Sequence, residues 1–223
     1  MSIKGIDVSH WQDLPNTEEG SDLGFCFIKA TQGANSVDPA FESHWGYLKP
    51  SHLLLGAYHY FDTAVDPIVQ AQHFWDTISP FYDEFSLPPV IDLEDPHCQI
   101  HGQTLAIAVT AFCEQIKTLS GKNPIIYTNK AAFMVPMALA YIDLSSYPLW
   151  DACYGENPAT PYSGWTSPTF WQFTDHEHDA GTTTDGDLFM GTPDELLALT
   201  TAGTSKDGLN GSDWVAKYGI KVI

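Results

Sequence analysis

The sequence predicts an α/β fold: an irregular, TIM-like barrel of about eight strands, with fewer helices than strands and a helix-poor last third. Three observations carry this. Apolar segments of β character recur along the first two thirds of the chain, helical patterns lie between most of them, and the strand segments are apolar nearly throughout. Alternating strand and helix argues for a parallel sheet, and continuous apolar strands say that both of its faces are covered, which leaves a barrel or a doubly wound sheet. Beyond about residue 141 the strand-like pieces follow one another without convincing helices between them, so an ideal eightfold barrel is not expected.

In chain order, the strands are expected at "IKGIDVS" (3–9), "GFCFIKAT" (24–31), "LLLGAYHYF" (53–61), "PPVIDLE" (88–94) and "NPIIYT" (123–128). Asp38-Pro39 and Asp66-Pro67 each read as an N-cap followed by a proline at the first helical position, opening "AFESHWGYLK" and "IVQAQHFWDTI". A longer helix fits 103–119, where Leu105, Ala108, Val109, Phe112, Ile116 and Leu119 recur at three- and four-residue spacing. A further helix is expected near 130–141, then the pieces "YPLWDACY", "TFWQFT" and "GDLFMG". Thr192-Pro193-Asp194-Glu195 reads as a capping box opening a short last helix. The domain is expected to close at residue 199. Residues 200–211 are small, polar and Gly-rich like a linker, and "SDWVAKYGIKVI" is expected as a terminal strand or tail.

With 28 acidic against 9 basic residues and a formal net charge of −19, the chain repels nucleic acid and anionic membrane surfaces. No run approaches the roughly eighteen apolar residues of a membrane span, and "MSIKGIDVSHW" has neither a secretory nor a transit pattern, so no membrane insertion is expected. Cys26, Cys98, Cys113 and Cys153 lie far apart with no C-x-x-C, which points to buried free thiols.

The chemistry concentrates in "PPVIDLEDP" (88–96), where three acids fall within four positions directly after an apolar run. On a strand, residues i and i+2 share a face, so Asp92 and Glu94 point the same way with α-carbons roughly 6.5 to 7 Å apart. At the carboxyl end of a parallel strand such a pair sits in the mouth of a cleft, and Pro96 ends the ladder there. Two acids side by side in a partly dry site repel each other's charge, so one keeps its proton to higher pH. A proton donor beside an ionised carboxylate is what cleavage of a glycosidic bond requires. Asp7 in "GIDVSHWQ" and Asp185 in "TTTDGDLF" also lie at expected strand ends and converge on the same mouth if the barrel closes. Trp11, Tyr58, Tyr60, Phe61, Tyr127, Trp150, Tyr154 and Trp171 lie at expected strand ends as well, where they suit either an oligosaccharide groove or the barrel core.

Taken together, "GIDVSHWQ", "FCFIKATQG", "GAYHYF", "PPVIDLED", "PIIYTN", "PLWDACY", "FWQFT" and "DGDLF" resemble family 25 of the glycoside hydrolases, the Chalaropsis-type muramidases, over roughly residues 3–199. The resemblance implies an irregular barrel and hydrolysis of the β-1,4 bond between N-acetylmuramic acid and N-acetylglucosamine in peptidoglycan, with no cofactor. It implies Glu94 as the general acid/base, Asp92 as its partner, and Asp7 and Asp185 as the two further cleft acids. Tyr58, Tyr60, Tyr127, Trp150, Trp171 and Lys29 are then expected on the substrate's side, with ion pairing the preferred role of Lys29 and a structural role preferred for His59. Because N-acetylmuramic acid carries a 2-acetamido group, assistance by the substrate itself is favoured over direct attack by Asp92. Residues 1–199 become the catalytic barrel, and the site of action lies outside the cytoplasm, reached by secretion or by a delivery machinery.

Two departures from the family pattern stand out. Gln32 replaces a glutamate common in relatives, and Asp187 stands where an asparagine is common; a register slip of two would make Asp187, not Asp185, the functional acid. Two other readings compete. "TDHEHD" (174–179) could hold a metal through Asp175, His176, His178 and Asp179, as in a metal-dependent polysaccharide deacetylase. A non-catalytic sugar-binding barrel would keep the aromatic residues.

Overall fold

A computed structural model describes residues 1–13, 22–179 and 182–223, with the side chains of His178, Asp179 and Thr182 outside the description. Eight strands close into a barrel: β1 (Ile3–Val8), β2 (Phe25–Gln32), β4 (Leu54–Tyr60), β5 (Val90–Leu93), β6 (Ile125–Thr128), β7 (Leu149–Ala152), β8 (Phe170–Asp179) and β9 (Thr182–Phe189). The two-residue β3 (Ser36–Val37) is an appendage on β2. Closure comes from β1, which pairs with β2 on one side and β9 on the other.

The sheet is parallel from β1 through β2, β4, β5, β6 and β7 to β8, and antiparallel at β8–β9 and β9–β1. Only two positions separate β8 from β9, far short of the roughly dozen residues a parallel crossover needs, so β9 must run back. The consequence for the site is direct. The cleft end of β9 is its N-terminal half, which brings Asp185 to the rung opposite Asp7.

Three helices cover the outside of the parallel part: α1 (Phe41–Leu48), α2 (Pro67–Ile78) and α3 (Gly102–Ser120). Asp66 caps α2, accepting from the Ile68 and Val69 amides ahead of Pro67 at the first position. The second expected cap differs: α1 starts from Ala40 with no side-chain cap. Asp38 instead accepts from the Ala40 amide and, at 2.7 Å, pairs with His10 Nδ1 in the segment after β1. A partner distant in sequence outcompeted the local cap. The helix expected near 130–141 is a single π-helical turn, Lys130–Met134, capped by Asn129, and turns follow it.

Apolar side chains form two layers. Outside, Phe74 of α2 and Phe112 of α3 pack with Ile28, Ala57 and Ile91 between helices and sheet. Inside, Phe25, Phe27, Trp150 and Phe170 stack edge and face in the barrel bore. Gly5 and Gly56 admit those rings: a Cβ at either position would lie 2.4 Å from a ring atom of Phe25 or Phe27. Cys26, Cys98 and Cys113 are buried free thiols, as expected, and Cys153 is a free thiol at intermediate depth.

The end of the chain corrects the linker reading. After α4 (Pro193–Ala198), which opens on the expected Thr192/Glu195 capping box, residues 211–218 form a helix, α5 (Gly211–Tyr218). Trp214 on α5 is wholly buried with Leu196 and Leu197 of α4, Phe25 and Phe170. Ser2 and Ile223 then exchange backbone hydrogen bonds. The small, polar, Gly-rich stretch 200–211 leads into one large apolar anchor, Trp214, that closes the barrel floor. Trp214→Ala is therefore expected to cost about 3 to 5 kcal/mol, read as a lower urea midpoint with unchanged activity in native buffer.

Candidate active site

The carboxyl ends of the parallel strands surround one pocket, lined by Asp7, Tyr58, Asp92, Glu94, Tyr127, Trp150, Gln172 and Asp185, with about 290 Å³ of empty space. Each strand contributes by its pleat. Asp92 is the third residue of β5, paired across to Tyr60 of β4 and Tyr127 of β6. Glu94 lies just past the strand end and opens to solvent at the mouth. Tyr127 in turn pairs with Trp150 of β7, and their rings meet edge to face at 4.7 Å between centroids. Tyr58 meets the same tryptophan edge to face. The pocket thus has an aromatic floor and acidic walls.

Burial dominates the electrostatics. Asp92 is 4% exposed, its Oδ1 meets no donor among the described residues, and burial with the nearby Glu94 charge raises its pKa well above the carboxylate range. The surrounding wall also raises Glu94, with the Asp185 charge adding to the effect and Lys29 opposing it. The sequence suggested one protonated and one ionised member. The deeper Asp92 is itself held toward its protonated form, and its ionised state needs a ligand that supplies a donor to Oδ1. Asp7 is 5% exposed and is raised chiefly by burial and by Asp185. Asp185 is pushed up to about 6, mainly by burial and next by Asp175.

Gln172 ties this ring together and was not picked out from the sequence. Its Nε2 donates to Asp7 Oδ2 at 2.8 Å and Asp185 Oδ2 at 3.2 Å. Its Oε1 accepts from the hydroxyls of Tyr127 at 2.9 Å and Tyr154 at 3.3 Å. The sequence points instead to its neighbour Trp171 in "FWQFT". Successive strand residues face opposite ways, so the strand that aims Gln172 inward turns Trp171 out, where its Nε1 donates to Cys153 O.

The other expected residues are placed as follows. Tyr60, half-buried, stands at the mouth with Lys29 Nζ 5.0 Å from its ring centre. Lys29 makes no ion pair within 4.0 Å among the described residues; it acts on Asp92 and Glu94 at longer range. His59 is wholly buried between Thr31 Oγ1 and Gln70 Oε1, stacked on Phe112. Burial lowers its pKa to about 3, so it is a neutral strut behind the cleft. Asp187 lies deeper than Asp185, hydrogen-bonded to Trp150 Nε1, so the pocket acid in the present register is Asp185. Among the described residues no group of three or more His, Cys, Asp or Glu is arranged to hold a metal, and the side chains of His178 and Asp179 lie outside the described residues. No described helix is long and apolar enough to cross a membrane.

A family model described as glycosyl hydrolases family 25 matches residues 6–182. The uncharacterised protein YegX of Escherichia coli (strain K12) is 33% identical over 208 residues, covering 89% of this chain and 73% of its own. An N,O-diacetylmuramidase of Arthroderma benhamiae is 27% identical over 215 residues, covering 91% and 88%. Among solved structures, the bacterial lysozyme of Streptomyces coelicolor superposes with a TM-score of 0.81 at 26% identity, covering 91% of this chain and 98% of that one.

Proposed function

Because this chain belongs to family 25 of the glycosyl hydrolases, we propose that it is a muramidase, cleaving the β-1,4 bond between N-acetylmuramic acid and N-acetylglucosamine in peptidoglycan. The observation that carries the reading is the convergence of Asp7, Asp92, Glu94 and Asp185 on one aromatic-floored pocket. A reachable proton donor, Glu94, stands there beside a deeper carboxyl, Asp92, with Lys29 acting on both only at longer range.

In this reading Glu94, the member open to the mouth, protonates the glycosidic oxygen as the bond to the muramic acid C1 breaks. The substrate's acetamide oxygen attacks C1 and forms an oxazolinium ring. Asp92 gives up its proton to water as the acetamide N–H docks on its buried Oδ1, and the resulting carboxylate stabilises the ring's positive charge. The chain beyond the broken bond leaves. Glu94, now ionised, takes a proton from water, whose oxygen opens the ring at C1 and restores the acetamide with net retention.

Tyr58, Tyr127 and Trp150 offer ring faces and edges to the apolar side of a sugar, while Asp7 and Asp185 accept from its hydroxyls. Tyr60 and Lys29 border the mouth, where the glycan enters. Residues 1–199 carry the chemistry and 200–223 support it from below through Trp214. Action is on the wall outside the cytoplasm, by secretion or delivery, and peptidoglycan glycan strands are the partner.

The test is digestion of purified peptidoglycan followed by mass analysis of the new reducing ends. Muramic acid ends are expected. Glucosamine ends would make the enzyme a glucosaminidase, and peptides released without new reducing ends would make it an amidase; either result overturns the reading.

A further inference from the structure

The barrel bore holds a second acid pair beneath the pocket. Asp187 on β9 is 0% exposed and sits on the rung shared with Gly5 of β1 and Gln172 of β8. Its Oδ1 accepts from Trp150 Nε1 at 2.8 Å. Its Oδ2 is buried with no N–H or neutral O–H donor in reach among the described residues, and the group it contacts is the carboxyl of Asp7. Two ionised carboxylates in contact inside a dry barrel repel strongly, and a single proton between them turns that repulsion into a hydrogen bond.

The partners on either side decide which acid keeps the proton. Asp7 already receives the Gln172 amide on Oδ2 and borders the pocket, so its charge is both hydrogen-bonded and close to solvent. Asp187 has one neutral donor, on Oδ1, and no opening to water. We propose that Asp187 is a positioning residue that stays protonated at neutral pH and donates from Oδ2 to Asp7, fixing Asp7 as the carboxylate that Gln172 holds beside Asp185. In this state Asp187 presents one acceptor to Trp150 and one donor to Asp7, the same pattern a carboxamide would present. The chain thus uses a neutral acid where an amide would serve, and fixes the pocket floor and an acidic wall through one side chain.

Burial opposes the ionisation of Asp187 most, and Asp7 from β1 and Asp185 from its own strand add to it against the Trp150 N–H. The Cys26 thiol of β2 is itself pushed up, chiefly by burial, and offers no positive charge. A carboxyl that keeps its proton in the folded state, while the unfolded chain loses it near pH 4, makes the unfolded state bind fewer protons, so stability falls as pH rises from there toward the folded pKa. Asp187→Asn keeps the hydrogen-bond pattern and removes that fall.

Three measurements test it. The infrared difference spectrum between wild type and D187N at neutral pH is expected to show a protonated carboxylic-acid carbonyl band that the variant lacks. The melting temperature of D187N is expected to exceed that of wild type by a margin that widens between pH 5 and pH 8. Asp187→Leu, which keeps bulk but neither hydrogen bond, is expected to lower kcat about tenfold or more through misplacement of Asp7, and D187N to recover most of that loss. Absence of the carbonyl band, together with parallel stability profiles for wild type and D187N, would overturn the proposal. Should D187L fail to fold, the spectrum and the pH profile of D187N still decide. The role given to Asp7 in sugar binding rests on the muramidase reading, but the location of the proton does not, and the first two measurements need no substrate.

Discussion

Glu94→Gln is expected to abolish turnover of peptidoglycan while leaving binding of the glycan nearly intact. The substitution keeps the size and much of the hydrogen bonding of the side chain and removes only its transferable proton. General acid catalysis supplies about 10² to 10⁴ in rate, and here the same group also serves as base in the second half-reaction, so a loss toward the upper end is expected. Reducing-end release measures turnover, and cosedimentation with insoluble wall measures binding. Wild-type turnover in the variant would remove Glu94 from the chemistry. The pH dependence carries a matching sign. Burial and Asp185 raise Glu94 against the opposing effect of Lys29, and the protonated form is the active one, so the wild-type rate should persist above the ordinary glutamate range and fall as pH rises through the shifted pKa.

Asp92→Asn is expected to lower kcat by about 10² to 10³, the magnitude seen when one preorganised group facing transition-state charge is removed, with a much smaller change in KM. Asp92 has a buried oxygen that meets no donor among the described residues, and burial of such a group costs stability unless a ligand completes it. An amide at this position cannot supply the negative charge that balances the oxazolinium. Steady-state kinetics on soluble glycan fragments reads the effect, and a variant with wild-type kcat would show that Asp92 only supports the fold. Mass analysis of rapidly quenched wild-type enzyme separates the two nucleophiles: a glycosyl ester trapped on Asp92 would replace substrate assistance with direct attack.

Much of this site was legible because strand geometry is periodic. The rule that i and i+2 share a face paired Asp92 with Glu94, and the strand-end position of Asp7 and Asp185 placed them in the same mouth. Trp171 stands out as a large aromatic residue at an expected strand end, whereas the single amide of Gln172 beside it carries no comparable signal. No local pattern could show that Gln172 reaches both Asp7 and Asp185, strands away in sequence. Helices with a local signal, the Asp66 cap and the Thr192/Glu195 box, were readable. Those decided by distant partners were not: Asp38 left its helix for His10, and α5 is held by burial of Trp214 on the barrel floor rather than by its own composition. The antiparallel return of β9 was not legible, because the strand-like pieces "TFWQFT" and "GDLFMG" leave eleven residues between them, and only the structure extends β8 and β9 to a two-position connection.

Glu94 keeps its proton to higher pH than a free glutamate because the surrounding cleft wall and Asp185 outweigh the pull of Lys29. Titration of its side-chain carboxyl carbon by ¹³C NMR, assigned by comparison with the E94Q protein, measures this without substrate. A midpoint clearly above that of an exposed glutamate is the predicted result. A midpoint at the ordinary glutamate value would leave the cleft without its acid and contradict the account.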